Sequence, residues 1–145
     1  MINIKELNIG NYLRVAKEGL CIKKGTIIKI NGIDAENKFM EKGLVGVISC
    51  HPLDKYQFDG GIWLAYLEPI EITPEILEKS GWEVLVNDIN PKKWIAYLIE
   101  EDALIVKGGD LVTLNTNTGK EIPFRYVHQL QNALILCGIN KKIEL

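Results

Sequence analysis

The chain is 145 residues long, 47% hydrophobic and 25% charged, a composition that can build a core and excludes wholesale disorder. Its formal net charge is −2, and only two of its 17 basic residues, Arg14 and Arg125, are arginine. Nucleic-acid-binding domains are normally basic and rich in arginine, so this balance argues against nucleic acid as a partner. No apolar run approaches the roughly 18 residues of a membrane-spanning helix, which excludes a transmembrane helix and predicts no membrane partner.

The amino-terminal segment MINIKELNIG carries charge and lacks the uninterrupted apolar stretch of a signal peptide. The three cysteines, Cys21, Cys50 and Cys137, are odd in number and widely spaced. Such spacing predicts no disulfide framework, and Cys137 is interpreted as a small core residue. Both observations predict a cytoplasmic protein.

The first half of the chain has the pattern of short strands. Asn31-Gly32 is its strongest hairpin signal, because both central residues of such a turn take positive φ. Residues Ile33–Glu36 would then form the returning strand. Short strands separated by glycine and asparagine predict a small antiparallel, barrel-like β-unit. The other predicted strands of this half are Tyr12–Val15, Thr26–Ile30, Gly43–Cys50 and Gly61–Leu67.

A short helix is predicted after Pro69. Thr73 is its N-cap, Pro74 occupies the first helical position, and the Glu75 carboxylate favours the positive end of the helix dipole. The helix ends at Ser80, which precedes a glycine.

The pattern then returns to strands joined by turn-forming residues, which predicts an antiparallel meander of about four strands. The predicted segments are Val84–Val86, Trp94–Ile99, Ala103–Lys107, Leu111–Asn115 and Glu121–Phe124. Gly108-Gly109-Asp110 is interpreted as one of the turns, since no helix follows it as a phosphate loop would require. The apolar side of such a sheet needs a cover, which the last helix provides.

These elements predict an α+β fold with a boundary near Pro69. Residues 1–69 would form a β-rich unit, and residues 70–145 would form the short helix, the meander and the final helix. The two parts are expected to make one compact body.

The stretch Arg125–Gly138, RYVHQLQNALILCG, is the longest with helical periodicity. One side is apolar, and Gly138 lies where a left-handed C-cap belongs. The opposite side carries polar residues, yet it ends on two aliphatic ones. The end of the helix is therefore either packed on two sides or offers a contact surface to a partner. The candidate partner-binding residues on that side are Arg125, His128, Gln129, Asn132, Ile135 and Leu136.

Cys50-His51 is the only adjacent Cys/His pair. Structural zinc sites draw on closely spaced pairs such as C-x₂-C, which this chain lacks. His128 and Cys137 are nine residues apart in one predicted helix and point in opposite directions, so they cannot share a metal. A Cys–His nucleophile would have to join Cys50 or Cys21 to His128, and no local pattern supports this pairing. No catalytic residue, metal or cofactor is predicted.

Three segments carry a resemblance to other proteins: KELNIGNYL at Lys5–Leu13, LEPIEITPEILEKSGW at Leu67–Trp82 and RYVHQLQN at Arg125–Asn132. Together they resemble small uncharacterised proteins of anaerobic gut bacteria and their phages and prophages, which close with a YVHQLQN-type helix. The resemblance implies a β-rich start, a short central helix and a closing helix. It also implies a mobile-element setting, in a bacterial cell or a phage-infected host, and supplies no catalytic residues.

The function favoured by the sequence is that of a non-enzymatic accessory protein. It would act through contacts with an unknown protein partner or through self-association. The alternative is a small β-domain that binds nucleic acid or nucleoprotein, since small barrels serve that role on many folds. An uncharacterised enzyme is third. A salt-dependent mobility shift with DNA or RNA would separate the first two hypotheses.

Overall fold

The computed structural model describes residues 2–18, 22–33, 44–51 and 59–145. Its internal contacts divide the chain into two compact units, Met1–Ile70 and Glu71–Leu145. This division falls directly beside the boundary placed between residues 69 and 70 from the sequence. Antiparallel sheets dominate both units, and the second unit holds the two α-helices, so the predicted α+β class is confirmed.

The first unit is built on a five-stranded antiparallel sheet in the order β4-β3-β2-β1-β5. Its strands are β1 (Tyr12–Val15), β2 (Ile27–Gly32), β3 (Leu44–His51), β4 (Asp59–Trp63) and β5 (Leu67–Glu68). The two edge strands, β4 and β5, are joined only by a 3₁₀ turn at Leu64–Tyr66. A flat sheet would hold its edges about 19 Å apart at a strand spacing of about 4.8 Å, whereas a 3₁₀ turn of this length advances about 6 Å. The sheet therefore curls, as predicted for a barrel-like unit.

Alternation along the strands builds the core of this sheet. Leu13 and Val15 of β1 and Ile28 and Ile30 of β2 are all fully buried, while the residues between them face outward or lie at intermediate depth. This period of two is the one that a strand with one face on a core requires.

The predicted hairpin turn at Asn31-Gly32 is wrong. Both residues belong to β2, neither takes a positive φ, and the register shifts between Ile30 and Gly32 as in a β-bulge. Asn31 Nδ2 donates a hydrogen bond to Asp59 Oδ1 at 3.2 Å. Gly32 pairs with Gly46, where an added Cβ would lie 3.0 Å from Asn31 Oδ1. Asn31 and Gly32 thus take part in close pairing between strands. From residue 34 onward, the predicted returning strand lies outside the described residues.

The predicted strand Gly61–Leu67 is also divided. Its first part belongs to β4, and its last residue opens β5 on the other edge of the sheet. The 3₁₀ turn between them is needed to carry the chain from one edge to the other, a requirement that residue alternation does not reveal.

The second unit is an antiparallel meander in the order β10-β9-β8-β7-β6, with five strands where about four were expected. The elements are α1 (Pro74–Lys79), β6 (Glu83–Val86), β7 (Trp94–Leu98), β8 (Ala103–Lys107), β9 (Val112–Thr116), β10 (Glu121–Phe124) and α2 (Val127–Leu136). The bounds of β8 and β10 are those predicted, and the bounds of the other strands differ by a residue. One face of this sheet carries the buried row Ala96, Ile105 and Leu114.

Helix α1 begins as its sequence predicts. Thr73 Oγ1 accepts a hydrogen bond from the Ile76 amide at 3.4 Å, with Pro74 in the first turn. Hydrogen bonds from the Thr73 hydroxyl and from the Glu75 amide lower the pKa of the Glu75 carboxyl. Leu77 is fully buried, so the helix is held by a single apolar anchor and its cap.

The carboxy-terminal segment is fixed to the end of α1. Ser80 Oγ donates to the Ile76 carbonyl at 2.6 Å and accepts a hydrogen bond from the Glu144 amide at 2.9 Å. Ile139 and Ile143 are buried. The last residues therefore contribute to the core of the second unit, a role not predicted from the sequence.

Candidate functional site

The helix that carries the candidate residues, α2, is capped at its start by Gln129. Its Oε1 atom accepts hydrogen bonds from the Arg125 amide at 2.9 Å and from the Tyr126 amide at 3.2 Å. These amides precede the helix and have no partner within it, so the glutamine acts as the third residue of a capping box does. Gln129 thus has a structural role that the prediction of a contact residue did not include.

The end of α2 follows the predicted glycine cap. Gly138 has φ +71°, the Gly138 amide donates to the Ile135 carbonyl at 3.0 Å, and the Ile139 amide donates to the Leu134 carbonyl at 2.9 Å. These two bonds define a Schellman motif, which accounts for carbonyls that the helix itself leaves unpaired. The helix consequently stops directly after its two exposed aliphatic residues.

His128 does not lie on an exposed polar face, so its predicted placement there is corrected. The residue is only 1% exposed, and the Tyr126 ring stacks on its ring with centroids 5.9 Å apart. Tyr126 is in turn bridged to Glu71, and the Ile72 amide lies 3.4 Å from the Arg125 carbonyl. The first turn of α2, which carries His128, therefore lies next to paired backbone. Helical periodicity alone places His128 on the outside.

Arg125 turns away from the helix. Its Nη2 atom lies 3.6 Å from Glu71 Oε1, with both side chains largely exposed, and its guanidinium lies 5.6 Å from the centre of the Tyr126 ring. An exposed pair of this kind adds little stability. It does direct Arg125 toward Glu71 and away from the far end of α2.

The remaining candidate residues lie together at the end of α2. Ile135 is 69% exposed and Leu136 is 73% exposed. Asn132, at intermediate depth, lies one turn earlier on the same side. We call Asn132, Ile135 and Leu136 the α2 end surface. On the opposite side of the same turns, Leu130 and Leu134 are buried, so the helix is not packed on two sides at its end.

The structure describes few of the groups considered for metal or thiol chemistry. Cys137 is a free cysteine at intermediate depth at the end of α2. Cys21 and the side chains of Cys50 and His51 lie outside the described residues. Within the described ranges, no three His, Cys, Asp or Glu side chains are grouped as metal ligands.

Two clefts lie at one end of the meander. A cleft of about 270 Å³ is lined by Leu85, Val86, Asn87, Lys93, Trp94, Ile95 and Lys107. A second cleft of about 230 Å³ is lined by Glu71, Ile72, Lys92, Lys107, Gly109, Asp110, Val112 and Arg125. Lys107 lines both clefts, and its Nζ atom lies 5.9 Å from the centre of the Trp94 ring.

These cleft residues were not predicted from the sequence, although a signal for them exists. Alternate turns of an antiparallel meander lie at the same end of the sheet. The β6–β7 turn contains Lys92 and Lys93, the β8–β9 turn follows Lys107, and β10 ends before Arg125. Mapping charge onto these turns would have placed four basic residues, three of them lysine, at one end.

Comparison of the chain with protein-family models, with curated proteins and with solved structures gave no match. Among the described helices, none is long and apolar enough to cross a membrane.

Proposed function

We propose that this protein is a non-enzymatic accessory protein that acts through protein–protein contact, with the α2 end surface as an anchor of the interface. The observation that carries the proposal is the exposure of Ile135 and Leu136, at 69% and 73%. Two adjacent aliphatic side chains at the end of a capped helix, next to an amide, have the composition of an interface core with a polar rim. The resemblance to phage and prophage proteins supports a mobile-element setting for this role.

The geometry narrows the six candidate residues to three. Arg125 pairs with Glu71, Gln129 caps the helix, and His128 is buried. Ile135 and Leu136 remain as largely exposed apolar side chains, with Asn132 beside them at intermediate depth. A stable interface buries about 800 Å² on each partner, so two side chains can only be its anchor.

Self-association through the α2 end surface is the contact to test first. The test variant is Ile135→Gln with Leu136→Gln, because glutamine keeps helix propensity while removing the apolar surface. The matched control is Ile99→Gln with Leu111→Gln, whose wild-type side chains are 71% and 67% exposed. Sedimentation or light scattering over a concentration series should show association weakened at least about tenfold in the test variant and little changed in the control.

Two results would count against this function. One is equal association of the test variant, the control and the wild type, all with the same circular dichroism. The other is a wild-type protein that stays monomeric and whose set of co-purifying proteins is unchanged by the double substitution.

A further inference from the structure

We propose that the two clefts on either side of Lys107 bind one small anionic ligand that carries an apolar group, such as an aromatic or aliphatic carboxylate or phosphate ester. The site is formed entirely by residues of the second unit. It is separate from the α2 end surface and does not depend on the function proposed for that surface.

Positive charge is concentrated at this end of the sheet. We call Lys92, Lys93, Lys107 and Arg125 the basic rim, since all four line the two clefts. Among the described residues, the three lysines form no ion pair, whereas Arg125 pairs with Glu71. Asp110 is the other acidic residue of the lining. The lining thus keeps an excess of cationic groups in a chain whose net charge is −2, and this local excess favours an anion.

Lys107 is placed to receive that anion. It lies on β8 between Trp94 of β7 and Val112 of β9, both of which are buried. Its ammonium rests 5.9 Å from the Trp94 ring centre, a cation–π distance that restrains the flexible side chain. The residue itself is at intermediate depth. A partly desolvated, restrained ammonium attracts an anion more strongly than a fully hydrated one.

The first cleft supplies an apolar wall. We call Val86 and Trp94 the apolar shelf. Leu85 is 61% exposed and pairs across the strands with Ile95, while Val86 pairs with Trp94. Val86 and Trp94 lie on the sheet face that carries Lys107, which pairs with Trp94, whereas Leu85 and Ile95 lie on the other face, because successive residues of a strand alternate in direction. An aromatic ring or short alkyl chain attached to the anion would cover this shelf.

The size of the clefts argues for one ligand spanning both. At about 270 and 230 Å³, each cleft is smaller than the roughly 300 Å³ at which small-molecule sites begin. Together they offer about 500 Å³. With Lys107 shared between them, the anionic group would contact the basic rim in the second cleft while the apolar group occupied the first.

The walls of the site are held in place by hydrogen bonds. Asn87 Oδ1 accepts from the Ile89 and Asn90 amides at 2.9 and 2.8 Å, which orders the β6–β7 turn. On the other side, the backbone next to Arg125 is paired through the bridge between Glu71 and Tyr126. A preformed site costs less ordering entropy on binding. Asp110 and Glu71 would repel a long polyanion, so the lining suits a compact ligand better than a nucleic-acid backbone.

The test is a titration of the whole chain followed by ¹H–¹⁵N NMR, with phenyl phosphate and 4-phenylbutyrate as the two anionic probes. The Trp94 indole signal and the amides of Lys107, Gly108, Gly109 and Asp110 should shift and saturate together. Inorganic phosphate alone and neutral 4-phenylbutanol should each bind at least about tenfold more weakly, since each lacks one of the two contacts. Comparison of the two probes distinguishes a phosphate ester from a carboxylate.

Two substitutions locate the binding. Lys107→Gln should weaken the better probe at least about tenfold, because it removes a charge-assisted hydrogen bond. Its control is Lys120→Gln in the turn at the opposite end of the sheet, which should leave the dissociation constant within about twofold. Val86→Asn, at a side chain that is 43% exposed on the Lys107 face, should weaken the phenyl probes and leave the binding of inorganic phosphate unchanged.

Three outcomes would overturn the proposal. They are the absence of saturable shifts at Trp94 and Lys107 with both probes up to millimolar concentrations, equal affinity for 4-phenylbutanol and the anionic probes, and equal affinity of the Lys107→Gln and Lys120→Gln variants. Each variant is first compared with the wild type by its amide spectrum. Should Lys107→Gln fail to fold, Lys107→Met provides the alternative test, because it keeps an unbranched side chain and removes the charge. It should weaken the anionic probes at least about tenfold, and unchanged affinity in the folded variant would overturn the proposal.

Discussion

The two ends of α2 have similar sequence patterns and opposite environments. In the first turn, Val127 and His128 are no more than 1% exposed. In the last turn, Ile135 and Leu136 are 69% and 73% exposed. His128 is therefore inside, whereas Ile135 and Leu136 are outside, the reverse of what the hydropathy of these three side chains alone predicts.

Helical periodicity does not explain this difference. His128 and Ile135 are seven residues apart, so they point within about 20° of each other around the helix axis. What separates them is position along the axis. The start of the helix lies beside the Glu71–Tyr126 bridge and under the Tyr126 ring, whereas no such pairing accompanies the end in the part of the chain that the structure describes. A helical wheel shows the direction of each side chain around the helix axis. It does not show which part of the helix, along its axis, lies against neighbouring segments of the chain.

The largest effect on stability is expected from Leu130→Ala. Leu130 is fully buried at the middle of α2, and shortening it leaves a cavity that the neighbouring side chains can fill only in part. The free energy of unfolding should fall by about 2–5 kcal/mol, measured by urea denaturation. A loss below about 0.5 kcal/mol would place Leu130 outside the core and remove the basis for treating its side of the helix as the packed one.

Much of the second unit could be predicted from local signals. Strands β8 and β10 have the predicted bounds, Thr73 and Pro74 begin α1, and Gly138 ends α2. In each case the signal is physical and local: alternation, a side-chain acceptor for orphan amides, or a residue able to take positive φ. Such signals depend little on the rest of the fold.

The errors arise where distant strands decide the structure. Asn31-Gly32 has the composition of a hairpin turn, yet Gly46 and Asp59, both far along the chain, hold it in a bulge. The buried His128 likewise lies close to Tyr126, whose backbone pairs with Glu71, a residue far away in the chain. The sequence did not decide whether Ile135 is exposed, because a helix end packed on two sides and a helix end that offers a contact surface have the same residue pattern. The cleft residues were missed because Lys107 and Arg125 meet Lys92 only through the register of the meander.

A smaller effect is expected at the capped start of α2. Gln129→Ala removes the oxygen that accepts from the Arg125 and Tyr126 amides, and should lower the free energy of unfolding by about 0.5–2 kcal/mol. Gln129→Glu is the matched control, because a carboxylate can accept the same bonds and also favours the positive end of the helix dipole. If both variants lose equal stability, the cap does not hold the first turn and the contrast between the two ends needs another cause.

The smallest effect is expected from Leu136→Ala, which makes the same chemical change as Leu130→Ala in the same helix. With 73% of the side chain already exposed, its removal takes little apolar surface from the core, and alanine is the better helix former. Unfolding in dilute solution, where self-association cannot contribute, should therefore match the wild type within about 0.5 kcal/mol. The same variant at high concentration should associate less if the α2 end surface is a contact. A loss of 2 kcal/mol or so in dilute solution would instead show that the last turn is packed like the first.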